Sequence, residues 1–214
     1  MELPERADRL TYMKDGLIFS KFPLASEQIK DRGVDLQSQY IFDIHLGEGR
    51  IFIPIYYEGK LVSYVGRACW WIPEIRLRYK YPSGTRVTDY LFNWDGVKQE
   101  KTLILVENTF NAIWINNNLG PCTSTFGSNL SDSQITLITS GHFASVVILW
   151  DEGADMSAYK AVKKLRAAST PATYVMIDGQ PDDHSLSFLR EVTETGYKKA
   201  VEGGFNWTNY RKKK

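Results

Sequence analysis

The chain has 214 residues, 43% of them hydrophobic and 13% aromatic, enough to build one large core or two small ones. Its 26 Lys and Arg against 25 Asp and Glu leave a formal net charge of +1, so gross electrostatics selects no partner. Two unrelated cysteines, Cys69 and Cys122, and scattered His45, His142 and His184 argue against a zinc ribbon or a disulfide-stapled secreted domain. No apolar run reaches the roughly 20 residues of a membrane helix, and Met1–Arg6 has no signal-peptide character. The expectation is a cytoplasmic protein that does not engage a membrane.

Residues 1–22 show no clear periodicity. Leu24–Arg32 reads as a helix capped by Ser26 and ended by Gly33. Tyr40–Ile44 and Arg50–Tyr57 read as strands, and Pro54 marks the second as an edge strand or a bulge. A turn at Glu58–Lys60 leads into a strand over Leu61–Ala68. From Cys69 to Asp95 aromatic and basic residues interleave, and between Arg67 and Arg86 the bases Arg67, Arg76, Arg78, Lys80 and Arg86 accompany a single acid, Glu74. Two readings are open here. Such a stretch tracks a phosphate backbone while its rings stack bases, or it is a hairpin with a solvated basic face and a buried aromatic one. Trp70 and Trp71 fit packing better than stacking.

After Asn93–Gly96 strand and helix patterns alternate. Strands are expected over Leu103–Val106, Thr123–Phe126, Val146–Trp150 and Thr173–Ile177. Helices are expected over Phe110–Asn117, Ser131–Ile138, Met156–Ala168 and Ser185–Thr195. This alternation implies a mostly parallel sheet with right-handed crossovers. The fold class is therefore α/β: a β-rich α+β subdomain over residues 1–95, an α/β subdomain over 96–200, and a basic tail over 201–214. Arg211–Lys214 reads as a solvated terminus.

Two apolar runs stop abruptly at acids. Leu103–Val106 ends at Glu107, and Ser145–Trp150 ends at Asp151, with Glu152 and Asp155 close behind. Ligands of open α/β sheets gather at the carboxyl ends of the strands, and carboxylates converging there suit a hard cation, Mg2+ or Mn2+. The plainer alternative is that Asp151 favours the amino end of the helix that follows. Gly127 fits a tight strand-to-helix turn, and Cys122 a small buried apolar residue.

The stretch Leu105-Val106-Glu107-Asn108-Thr109-Phe110-Asn111-Ala112 resembles the glutamate motif of the Toprim fold. Val147–Ala154 and the helix behind it resemble its D-x-D motif. Gln180-Pro181-Asp182-Asp183 is similar to the D-P-D element of bacterial-type primases. Upstream, Arg50–Ile55 with Val65-Gly66-Arg67-Ala68, and Tyr79–Gly84 with Tyr90–Asn93, resemble elements of the amino-terminal half of the primase catalytic core. The likeness runs over about residues 25–190 and is similar to the compact, divergent cores of phages.

The resemblance implies primer synthesis on single-stranded DNA from nucleoside triphosphates with divalent ions, in the cytoplasm, or the host's if phage-encoded. Glu107, Asp151 and Asp155 would be catalytic, and with Glu152 would hold the metal. Arg50, Arg67, Arg76, Arg78, Lys80 and Arg86 would bind nucleotide or nucleic acid. A separate helicase or zinc-binding subunit would supply the roles that other primases carry in extra domains. The departures are Asn108 for a glycine, Asn111 for an acid, Tyr81 for an asparagine-like residue and Gly153 at the second aspartate. In a register shifted by two, Leu149 takes the first aspartate instead, so the pattern is one acid short either way. Two rival readings remain: a non-catalytic nucleic-acid-binding replisome subunit with a degenerate site, and a Toprim nuclease.

Overall fold

The computed structural model describes residues 8–9, 31–32, 45–47, 50–68, 77–203 and 209–210. The chain divides into two units, residues 1–87 and residues 88–214, each with its own sheet.

In the first unit the described strands form an antiparallel sheet in sequence order: β1 (Asp8–Arg9), β2 (His45–Gly47), β3 (Arg50–Tyr57), β4 (Lys60–Ala68) and β5 (Tyr79–Lys80). Tyr57 pairs with Lys60 across Glu58 (φ 52°) and Gly59 (φ 71°). Two positive φ values make the two-residue turn whose twist matches a hairpin. β3 lies between β2 and β4, so Pro54 does not mark an edge strand; the bulge is the reading that holds. One residue further on the register slips: Ile55 pairs with Ser63 and Tyr56 with Leu61, leaving Val62 as the extra residue of a bulge.

Ile51, Phe52, Ile53 and Ile55 are buried in succession, so both faces of β3 are covered. Phe52 meets Tyr64 edge-on with centroids 5.5 Å apart, and a Cβ at Gly66 would lie 3.0 Å from the Phe52 ring. The aromatic side chain thus covers the glycine opposite it. The helix expected over Leu24–Arg32, apart from its last two residues, lies outside the described residues, as do the strand over Tyr40–Ile44 and the segment holding Trp70, Trp71 and Arg76.

The second unit is a parallel sheet in the order β10-β9-β8-β6-β7. Its elements in chain order are α1 (Trp94–Val97), β6 (Thr102–Val106), α2 (Thr109–Asn118), β7 (Cys122–Ser124), α3 (Asp132–Ser140), β8 (Ser145–Asp151), α4 (Asp155–Ala167), β9 (Ala172–Ile177), α5 (Leu186–Val201) and β10 (Asn209–Tyr210). The buried runs Leu103–Val106, Val146–Trp150 and Ala172–Ile177 are continuous rather than alternating, as expected of strands covered on both faces. From β6 the chain moves one way to β7, then returns past β6 to β8 and β9. The order reverses between β6 and β8, and a crevice opens at the carboxyl ends of strands at such a point.

The helices start where the sequence marks them. Asn108 caps α2 by accepting from Asn111 N–H at 2.9 Å. Ser131 and Gln134 form a reciprocal capping box on α3, both bonds being 3.1 Å. Gln134 is fully buried, and its amide also donates to the carbonyls of Tyr90 and Thr125. With Phe92 N–H on Ser124 O and Thr123 Oγ1 on Phe92 O, this fastens residues 90–92 along the outer edge of β7, so residues 88–95 go with the second unit. Helix α4 buries Ala158, Ala161, Val162 and Leu165, the face its periodicity predicts. Helix α5 runs to Val201, beyond the expected Thr195, with its Ser185 cap accepting from Phe188 N–H at 3.3 Å. Within the basic tail, Asn209–Tyr210 pairs in parallel with Met176–Ile177 of β9; Arg211–Lys214 lies outside the described residues. Among the described residues no helix is long and apolar enough to cross a membrane.

Candidate functional site

Glu107 directly follows β6, and Asp151 is the last residue of β8. The two strands are sheet neighbours, so both acids stand at the point where the strand order reverses. The Asp151 backbone N–H donates to Glu107 Oε1 at 3.2 Å. Burial of the half-buried Glu107 raises its carboxyl above the ordinary glutamate value; the nearby charge of Asp151 raises it further, while the hydrogen bond from Asp151 N–H opposes the shift. The two acids are near enough for the charge of one to disfavour ionisation of the other.

Three linked amide side chains end on Asp151. Gln180 donates through Nε2 to Asp151 Oδ2. Its Oε1 accepts from Asn111 Nδ2 at 2.8 Å and from Asn108 Nδ2 at 3.3 Å. The turn that carries Gln180 is itself braced. Gln180 N–H donates to Asp183 Oδ2 at 2.9 Å, His184 Nε2 lies 2.7 Å from Asp178 O, and the His184 ring stacks on Phe188. On the β7 side, Gly127 donates to Glu107 O at 2.8 Å, and Thr125 Oγ1 bridges Val106 O and Gly127 O. Gly127 has φ 142°, a conformation that favours glycine, so it serves the turn that ties this loop to the site.

The other expected acids are placed differently. Glu152 is exposed, and Asp155 opens α4, where its charge bears on Tyr174 of β9. Among the described residues no three His, Cys, Asp or Glu side chains gather to hold a metal ion; the four-acid set of Glu107, Asp151, Glu152 and Asp155 is not assembled. Two carboxylates still suit one hard cation, which takes its remaining ligands from water and phosphate. A further oxygen is available in Asn111: the residue is 3% exposed and its Oδ1 has no hydrogen-bond partner among the described residues.

Asn108, Asn111 and Gln180 were not among the site residues expected from sequence. Asn108 and Asn111 are the third and sixth residues of the motif Leu105–Ala112, and Gln180 opens the Gln180–Asp183 element. Their shared position at the carboxyl edge of the sheet was the available signal.

In the first unit Arg67 is 3% exposed, and so is not the exposed base that a lone arginine usually is. It pairs across the ladder with Tyr79. The guanidinium groups of Arg67 and Arg78 lie 5.9 and 5.7 Å from the Tyr79 ring centroid, within cation–π range. Arg78, Lys80 and Arg86 are exposed. Arg76 and the Arg50 side chain lie outside the described residues.

Comparison with solved structures places this architecture. The Aquifex aeolicus primase, solved with its zinc-binding and RNA polymerase domains, superposes with a TM-score of 0.65 at 20% identity over 86% of this chain and 57% of that one. The fold is that of a primase catalytic core. The DnaG catalytic core gives a TM-score of 0.58 at 12% identity, over 90% of this chain and 66% of that one. A DnaG primase catalytic domain bound to single-stranded DNA gives 0.58 at 13%, over 86% and 62%. The chain thus spans between 57% and 66% of the length of these three primase chains. No protein-family model and no curated protein matches the sequence.

Proposed function

We propose that this primase-like fold is a nucleotidyltransferase of the Toprim primase type, making RNA primers on single-stranded DNA. One observation carries the reading: Glu107 and Asp151 stand together at the strand-order reversal of a primase-core fold. Those two side chains would hold Mg2+ or Mn2+. A bound divalent ion supplies charge neutralisation to the phosphates of an incoming nucleotide. Asp151 N–H, donating to Oε1, holds the Glu107 carboxylate in place. The exposed Arg78, Lys80 and Arg86 supply phosphate contacts in this reading, while the buried Arg67 is held against Tyr79. The protein's partners in this reading are the DNA template and nucleoside triphosphates.

A second reading has its own support. The amide belt satisfies Asp151 without a cation, and Asp155 and Glu152 do not join the pair. Both features suit a nucleic-acid-binding replisome subunit that has lost the chemistry. Incubation with labelled single-stranded DNA, nucleoside triphosphates and Mg2+ or Mn2+ separates the readings. New RNA that disappears in Glu107→Gln and Asp151→Asn supports the primase reading. Retarded but unchanged DNA, equal in parent and variants, overturns it in favour of the binding subunit. Shortened DNA overturns both in favour of a nuclease.

A further inference from the structure

Gln180 is wired unlike an ordinary loop glutamine. Its oxygen takes two N–H donors, from Asn108 and Asn111, while its amino group faces the Asp151 carboxylate. Only one amide orientation satisfies this arrangement, because the reverse would set donor against donor and oxygen against carboxylate. The constraint passes on to Asn111. With Nδ2 committed to Gln180, its remaining polar atom is Oδ1, buried and without a hydrogen-bond partner among the described residues. A buried carbonyl oxygen left this way in a polar site calls for a ligand.

We propose that Gln180 is the positioning residue of a one-cation centre: it occupies Oδ2 of Asp151 and turns Asn111 so that a neutral oxygen joins the two carboxylates. The inference rests on Glu107 and Asp151 being cation ligands. It goes further by making the centre's ion number and affinity depend on a residue that is not itself a ligand. Partners of this kind orient ligating carboxylates, and their loss typically costs 10- to 100-fold in metal affinity. Gln180 is well suited to the task, because its turn is braced by Asp183 and by the His184–Phe188 stack.

The test is Mn2+ titration of the full chain without nucleotide, by calorimetry and by the electron paramagnetic resonance signal of free Mn2+. The parent is expected to bind one ion. Gln180→Ala should bind it about 10- to 100-fold more weakly, with the metal-free thermal midpoint shifted by no more than about 3 °C. Gln180→Glu keeps an acceptor for Asn108 and Asn111 but adds a third carboxylate, so it should bind at least about 10-fold more tightly or take a second ion. A parent that binds one ion, with both variants matching it, overturns the role of Gln180 and leaves the Glu107–Asp151 reading standing. A parent that binds no Mn2+ overturns that reading and this one together. Should Gln180→Ala fail to fold, Gln180→Met, which keeps the side-chain length but neither the donor nor the acceptor, takes its place with the same expected weakening.

Discussion

Glu107 faces opposed demands. Serving a cation requires a carboxylate, yet burial and the charge of Asp151 both penalise its ionised form. The consequence for stability has a definite sign. A carboxyl raised in the folded state holds its proton over a pH range where the unfolded chain has released it, so stability falls as pH rises through that range. The range starts near the ordinary value of 4.5 and extends to the raised one. Glu107→Gln keeps an oxygen for Asp151 N–H and removes the charge. In metal-free buffer its thermal midpoint should equal or exceed the parent's at pH 7, and its fall between pH 4.5 and 7 should be shallower. Scanning calorimetry with chelator present measures this; a midpoint well below the parent's at pH 7 would show that Glu107 stabilises the fold. Arg67 gives the matching lesson in a basic residue. Strand alternation suggests one exposed face, but β3 and β4 bury both, so a base expected at the surface sits inside against Tyr79. Periodicity does not reveal what covers the second face of a sheet.

Helix α5 shows how tightly one element meets the sheet. A Cβ at Gly196 would lie 2.9 Å from Val147 Cγ2 and 3.1 Å from Cγ1, with Thr173 Cγ2 at 3.6 Å. Those methyls belong to β-branched side chains of buried strands, so they cannot swing aside. Gly196→Ala gains about 1 kcal/mol of helix propensity but forces overpacking that costs about 1–3 kcal/mol. The net expectation is a loss of up to about 2 kcal/mol, read as a lower urea midpoint at unchanged slope. A gain in stability would mean the helix rides higher on the sheet. Elements were legible wherever a run or a period was long. Leu103–Val106, Val146–Trp150 and the apolar face of α4 stand where their patterns put them. Strand β10 was not legible, because two residues, Asn209 and Tyr210, make no run. Their pairing with β9 is settled by the sheet rather than by the segment itself.

For the molecule as a whole, the candidate site was half legible. Glu107 and Asp151 could be found because each ends its own apolar run. The amide belt could not, because Gln180 meets Asn108 across 72 positions and Asn111 across 69, and nothing local says which loops come together. Asp155 and Glu152 looked close in sequence to Asp151, but one opens a helix and the other is exposed; nearness along the chain does not bring side chains to one point.

The order of strands in the second sheet also bears on how the chain acquires its structure. In the first unit β3 finds β4 across a turn, Tyr57 pairing with Lys60. In the second, β6 is central and reaches β8 only by bringing Thr102 to Ser145. Closing a long loop costs entropy before any contact repays it, and non-local pairings form slowly. Pulse-labelling hydrogen exchange during refolding should therefore protect the amides of residues 51–57 and 61–68 before those of 103–106; the opposite order would show that β6 docks early. Until β8 arrives, Leu103-Ile104-Leu105-Val106 can be paired only along its β7 edge, and its other edge is open. That interval, rather than the finished fold, is when this chain is most exposed to aggregation.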